Sequence, residues 1–99
     1  MTAREFEANL LHRCALVARS DGAVPVAQDQ CEANVFRVAA MIMGPQWAQE
    51  SHRLLQASEQ YFSHHPEQQL HASEVVRKGW IFSFPRLRDM LGRKLHEMP

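Results

Sequence analysis

Glycine is scarce in this 99-residue chain, with four residues, and cysteine is scarcer, with two. No glycine-rich phosphate loop, dinucleotide fingerprint or GxSxG elbow is present. Each of those motifs needs glycine at fixed offsets, because the backbone must turn sharply or approach a ligand without a Cβ in the way. There is no CxxC pair and no HExxH signature to supply zinc ligands at short spacing. No apolar run approaches the roughly 18 residues that a membrane-spanning helix requires. The opening Met1-Thr2-Ala3-Arg4-Glu5-Phe6-Glu7 carries acids and lacks the basic head, apolar stretch and cleavage site of a secretory leader. These absences predict a soluble, cytoplasmic protein that is not an enzyme, needs no cofactor and has no membrane partner.

The two cysteines, Cys14 and Cys31, sit among apolar residues at helical spacing, where a free thiol behaves as a small hydrophobe. A disulfide between the first two helices is geometrically open, but a reducing cytosol argues for buried, reduced thiols. Six histidines are present. His64, His65 and His71 would converge only if their junction folded back, so no metal site is expected.

What the chain does have is proline at regular intervals: Pro25, Pro45, Pro66 and Pro85. Proline is tolerated in the first turn of a helix, where its missing N–H would have no partner, and it breaks helix interiors. The spacing predicts a helix opening at each proline after an N-terminal one. The expected fold is therefore all-α, a compact bundle of four to five short helices in one domain over 1–99.

Local signals support that expectation. Thr2 and Glu5 match the T-x-x-E capping box, and Phe6, Leu10, Cys14, Val17 and Ala18 form one apolar stripe ended by Ser20-Asp21-Gly22. A second helix from about Pro25, with Asp29 in its first turns, becomes apolar nearly all round from Val35 to Met43, which predicts a central position. A third helix from Pro45 to about Ser63 has a narrow stripe and reads as an outer helix. A fourth helix follows Pro66 and ends near Gly79. Trp80-Ile81-Phe82-Ser83-Phe84 reads as an apolar connector, and Ser83 caps a last helix with Leu87, Leu91, Leu95 and Met98 on one face.

Charge is uneven although the net is zero. Residues 1–76 hold five basic and nine acidic side chains, a balance of −4, and residues 77–99 hold six basic and two acidic, a balance of +4. Such asymmetry steers anionic partners to one end of a molecule. The densest cluster joins Arg77, Lys78, Trp80, Phe82, Phe84, Arg86 and Arg88, with Arg93 and Lys94 further along the last helix. Basic residues around an aromatic block suit an acidic protein groove, or phosphates beside stacked bases. The same aromatics read more readily as core, with the arginines solvated around them. A helix-turn-helix over Ala72–Leu95 fits poorly, because Pro85 falls where a recognition helix should already be under way.

From Leu11 to Ile42, with Ala18-Arg19-Ser20-Asp21-Gly22-Ala23-Val24 at its centre, the chain resembles TerB-like domains. The resemblance covers the first helix, the Asp-Gly turn and the second helix. It implies an all-helical, bacterial, stress-associated module in which acidic residues near that turn bind metal. Asp21 and Gly22 match that pattern; Gln28 stands where the next acid is expected, with Asp29 beside it. The leading expectation is a small non-enzymatic interaction module, an adaptor, chaperone-like protein or inhibitory regulator, that presents a helical surface and the basic-aromatic C-terminal segment to a protein partner, with a homodimer as one form of it. A nucleic-acid-binding regulator and a TerB-like metal-responsive module are the alternatives.

Overall fold

The computed structural model describes residues 1–98. It contains α1 (Ala3–Ala18), α2 (Gln30–Ile42), α3 (Ala48–His64), α4 (Ala72–Arg77) and α5 (Phe84–Glu97), with 3-10 turns at Pro45–Trp47 and Pro66–Gln68. Among the described residues there is no strand, so the fold is the expected all-α bundle. None of the helices is long and apolar enough to cross a membrane.

Most of the helices begin where a side chain can accept a free backbone N–H, since the first turn of a helix has no internal partner for its donors. Thr2 accepts from Glu5 N–H at 3.1 Å, Asp29 from Glu32 N–H at 2.8 Å and Ser83 from Arg86 N–H at 3.2 Å. Glu32 completes the second of these starts by reaching back to Gln28 N–H at 3.0 Å. The α4 end is equally well defined. Gly79, at φ +77°, donates to Val76 C=O while Trp80 N–H returns to Val75 C=O, the two bonds of a Schellman stop.

Two rungs of the proline ladder are placed differently from the expectation. Pro25 opens no helix: α2 starts at Gln30, behind the Asp29 cap. The residues between Pro25 and α2 form no regular structure, and Ala27 among them is buried with its N–H 3.4 Å from Ala57 C=O of α3. Pro66 opens only a 3-10 turn, and α4 waits until Ala72. Here tertiary hydrogen bonds decide, because the fully buried Asn34 of α2 binds Gln68 C=O and Leu70 N–H and draws that connector out straight. Pro85 stands in the first turn of α5, and Pro45 opens a 3-10 turn that runs directly into α3 at Ala48.

The core is one cluster fed by all five helices. Phe36, Leu54, Leu91, Leu95, Val17, Val35, Val38 and Val75 are its largest fully buried apolar side chains. Each contributes about 1.5–3 kcal/mol relative to exposure. The central helix α2 packs on α3, α4 and α5, as its apolar half predicted. The third helix is less peripheral than expected, since it packs on both α1 and α2. Arg53 of α3 caps the far end of α1 by donating to Ala18 C=O at 2.9 Å. Arg19 donates to Leu95 C=O at 2.8 Å and pairs with Glu50 at 3.2 Å, tying α1 to α5 and α3. These ties fix α1 beside α5, and that juxtaposition makes the surface described next.

Candidate functional site

The aromatic connector divides residue by residue. Ile81 is buried and serves as the core plug, whereas Trp80 and Phe84 are half-buried against the core. Phe82 is 59 % exposed, which makes it the outward member of the run. The Schellman stop at Gly79 sets this pattern, because it fixes the direction in which the chain leaves α4. Two cations sit over the aromatics: the Lys78 ammonium is 5.6 Å from the Trp80 ring and the Arg86 guanidinium 5.2 Å from Phe82. Arg77 is exposed in the last turn of α4.

Arg86 has a second partner that sequence reading missed. Its Nε and Nη2 donate to the two carboxylate oxygens of Glu7 at 3.3 and 3.0 Å, a forked pair joining α5 to α1. Hydrogen bonding to Glu7, then the charge of Glu7, raises the Arg86 pKa further above its already high ordinary value. Fork geometry of this kind orients a guanidinium as well as neutralising it.

On either side of this bridge the surface opens. Towards the chain start lies a depression of about 250 Å³ lined by Phe6, Glu7, Gly79, Trp80 and Phe82 among others. Along the helices lies a larger groove of about 470 Å³. Arg4, Glu7, Ala8 and Leu11 line it from α1, and Arg86, Met90, Arg93, Lys94 and Glu97 line it from α5. Beneath the bridge itself only about 10 Å³ remains, enough for about one water. The larger groove has an aliphatic floor of Ala8, Leu11 and Met90 and a rim of four cations against two carboxylates. Among the described residues, Arg4, Arg93 and Lys94 have no carboxylate partner.

The structure therefore brings some of the sequence-derived candidates together and separates others. Arg86, Arg93 and Lys94 share the α1–α5 groove, and Lys78, Trp80 and Phe82 gather at the adjoining turn after α4, whereas Arg77 enters neither depression. Arg88 turns to the other flank of α5, beside Asp89 at 3.8 Å and near Trp47 and Gln46. Phe84 is spent largely on packing. The α1 residues Arg4, Glu7, Ala8 and Leu11 were not singled out, although their i, i+3, i+4, i+7 spacing marks one helix face.

Asp29 is the α2 cap, Asp21 is exposed, and among the described residues no three His, Cys, Asp or Glu side chains stand close enough to hold a metal ion. Both thiols are free; burial, assisted by nearby acids, pushes Cys31 up to about 12 and Cys14 higher still. Comparison with known proteins found no matching family model, no matching curated protein and no matching solved structure.

Proposed function

We propose that this chain is a small, non-enzymatic protein-interaction module whose contact surface is the groove between α1 and α5, continued over the basic-aromatic turn at Lys78–Phe82. The observation that carries this reading is the combination of an aliphatic floor with a cationic rim on which Arg4, Arg93 and Lys94 have no carboxylate partner among the described residues. An apolar floor supplies area to bury and a charged rim sets partner choice and approach rate. Phe82, over half exposed and stacked under a guanidinium, extends the surface with the kind of side chain that anchors interfaces.

The test is site-specific photo-crosslinking in the native cell. A crosslinking side chain at Ala8, in the groove, should capture a polypeptide, and one at Gln56, exposed on α3, should not. The capture at Ala8 should disappear when Arg93→Glu and Lys94→Glu are combined. Crosslinking at Gln56 but not Ala8, or no loss on charge reversal, would place the contact surface elsewhere.

A nucleic-acid reading is favoured by one observation, the two cation–aromatic pairs at Lys78–Trp80 and Arg86–Phe82. Binding to phosphates must weaken steeply as salt rises. Absence of binding to single-stranded DNA or RNA at low salt removes that reading.

A further inference from the structure

Resting on the interaction-module reading, we infer that the occupant of the α1–α5 groove is an acidic amphipathic helix, and that Glu7 stands in for one of its carboxylates when the groove is empty. The partner's backbone comes first. The groove is walled by two helices whose backbone groups are internally bonded, and its floor is aliphatic. It offers a partner no ladder of donors or acceptors. A bound segment must satisfy its own backbone, which a helix does and an extended peptide does not.

Size agrees with that choice. From Arg86 to Glu97 the lining residues of α5 span eleven steps, about 16 Å at 1.5 Å per residue, or roughly three helical turns. Ala8 keeps one wall low, and Met90 supplies an adaptable side chain against which an apolar stripe can settle.

Charge then selects the flanks of that helix. Arg4 on one wall and Arg93 and Lys94 on the other lack carboxylate partners among the described residues. Arg86 shows how such a rim engages its ligand, because it already holds, with both fork nitrogens, a carboxylate presented from a helix. Nucleic acid fits this segment poorly: the floor has no aromatic face for a base, and Trp80 and Phe82 lie beyond the Glu7–Arg86 bridge. A partner carboxylate that takes Arg86 from Glu7 would also open the constriction beneath the bridge and join the two depressions.

The experiment is selection from a displayed library of helical peptides with a fixed leucine stripe and flanking positions randomised among Glu, Gln, Lys and Ser. Selected peptides should be enriched in Glu on the flanks and shift the Met90 methyl resonance. Arg93→Glu with Lys94→Glu should weaken them about tenfold, from two charge reversals of roughly threefold each, one at an exposed and one at a half-buried position, and Arg4→Glu independently about threefold. Glu7→Gln, by freeing Arg86, should tighten them about threefold. Peptides that shift Met90 without charge preference would overturn the acidic helix and leave the interaction module standing. Peptides that bind without shifting Met90, or a library yielding no binder, would overturn both. A single-stranded oligonucleotide that displaces the best peptide would assign the groove to nucleic acid instead.

Discussion

Truncating Asn34 to alanine should unlatch the connector between α3 and α4. This asparagine is fully buried, and its amide orientation follows from its partners: Nδ2 donates to Gln30 C=O at 2.8 Å and Gln68 C=O at 3.0 Å, while Oδ1 accepts from Leu70 N–H at 2.8 Å. The three bonds are not equally costly to lose. Gln68 C=O keeps a second donor, the Gln30 side chain at 3.1 Å, and Gln30 C=O keeps its place in the α2 ladder. Among the described residues Leu70 N–H has no other acceptor, and an orphaned donor at this part-buried site costs about 1–3 kcal/mol. The lost bond to Gln68 adds about 1 kcal/mol, and alanine's better helix propensity returns about 0.6 kcal/mol. The expected destabilisation is about 2–3 kcal/mol, which for a domain of this size lowers Tm by roughly 8 °C or more. Urea denaturation measures the first quantity, and hydrogen exchange at the Leu70 amide locates it. Asn34→Asp keeps the acceptor but sets a carboxylate against two carbonyl oxygens, so at neutral pH it should be at least as damaging as alanine. A loss below about 1 kcal/mol with unchanged Leu70 protection would refute the reasoning. It would assign the connector to the Arg37–Leu70 and Tyr61–Gln68 contacts instead.

Two other perturbations act through backbone and protons. Gly79→Ala should cost about 1–2 kcal/mol from the left-handed backbone alone, since a Cβ there meets nothing within 4 Å. It should also alter Trp80 fluorescence by re-aiming the connector; a variant as stable as the parent would show that the Schellman stop is dispensable. The thiols predict an alkaline weakness. Burial holds both above the ordinary thiol range, so the folded state keeps protons that the unfolded chain releases, and stability must fall as pH rises through about 9 towards 12. Cys14→Ala should flatten that slope after its own cavity cost is subtracted at neutral pH. A slope unchanged in the variant would mean that other groups cause it. For the same reason neither thiol should react quickly with iodoacetamide in the native protein, and half-buried Cys31 should react before fully buried Cys14.

Features that depend on three or four neighbouring residues were readable in the chain itself. The Thr2 and Ser83 caps, the glycine after α4 and the leucine stripe of α5 all appear where local chemistry places them. The starts after Pro25 and Pro66 were not, because proline only permits a helix to begin. Asp29 and Glu32 provide a better-satisfied start four residues after Pro25, and Asn34, polar in sequence yet fully buried, pulls residues 68–70 away from helix. Asparagine in an otherwise apolar stretch gives no sign of whether it will face water or an extended connector.

The candidate surface was legible in composition and illegible in arrangement. Arg86 and Arg88 read as one basic cluster, but two residues along a helix are about 200° apart, so one meets Glu7 and the other faces the opposite flank. The grouping that forms the groove runs through Arg86, Met90, Arg93 and Glu97, a second helical stripe beside the leucine core stripe. It becomes a groove only because α1 supplies Arg4, Ala8 and Leu11 as the other wall, across a sequence separation of 79 residues at the Glu7–Arg86 pair. Charge asymmetry between chain halves therefore points to one end of the molecule and cannot identify a surface there. The surface is set by which second stripe of α5 the packing of its first stripe leaves facing α1.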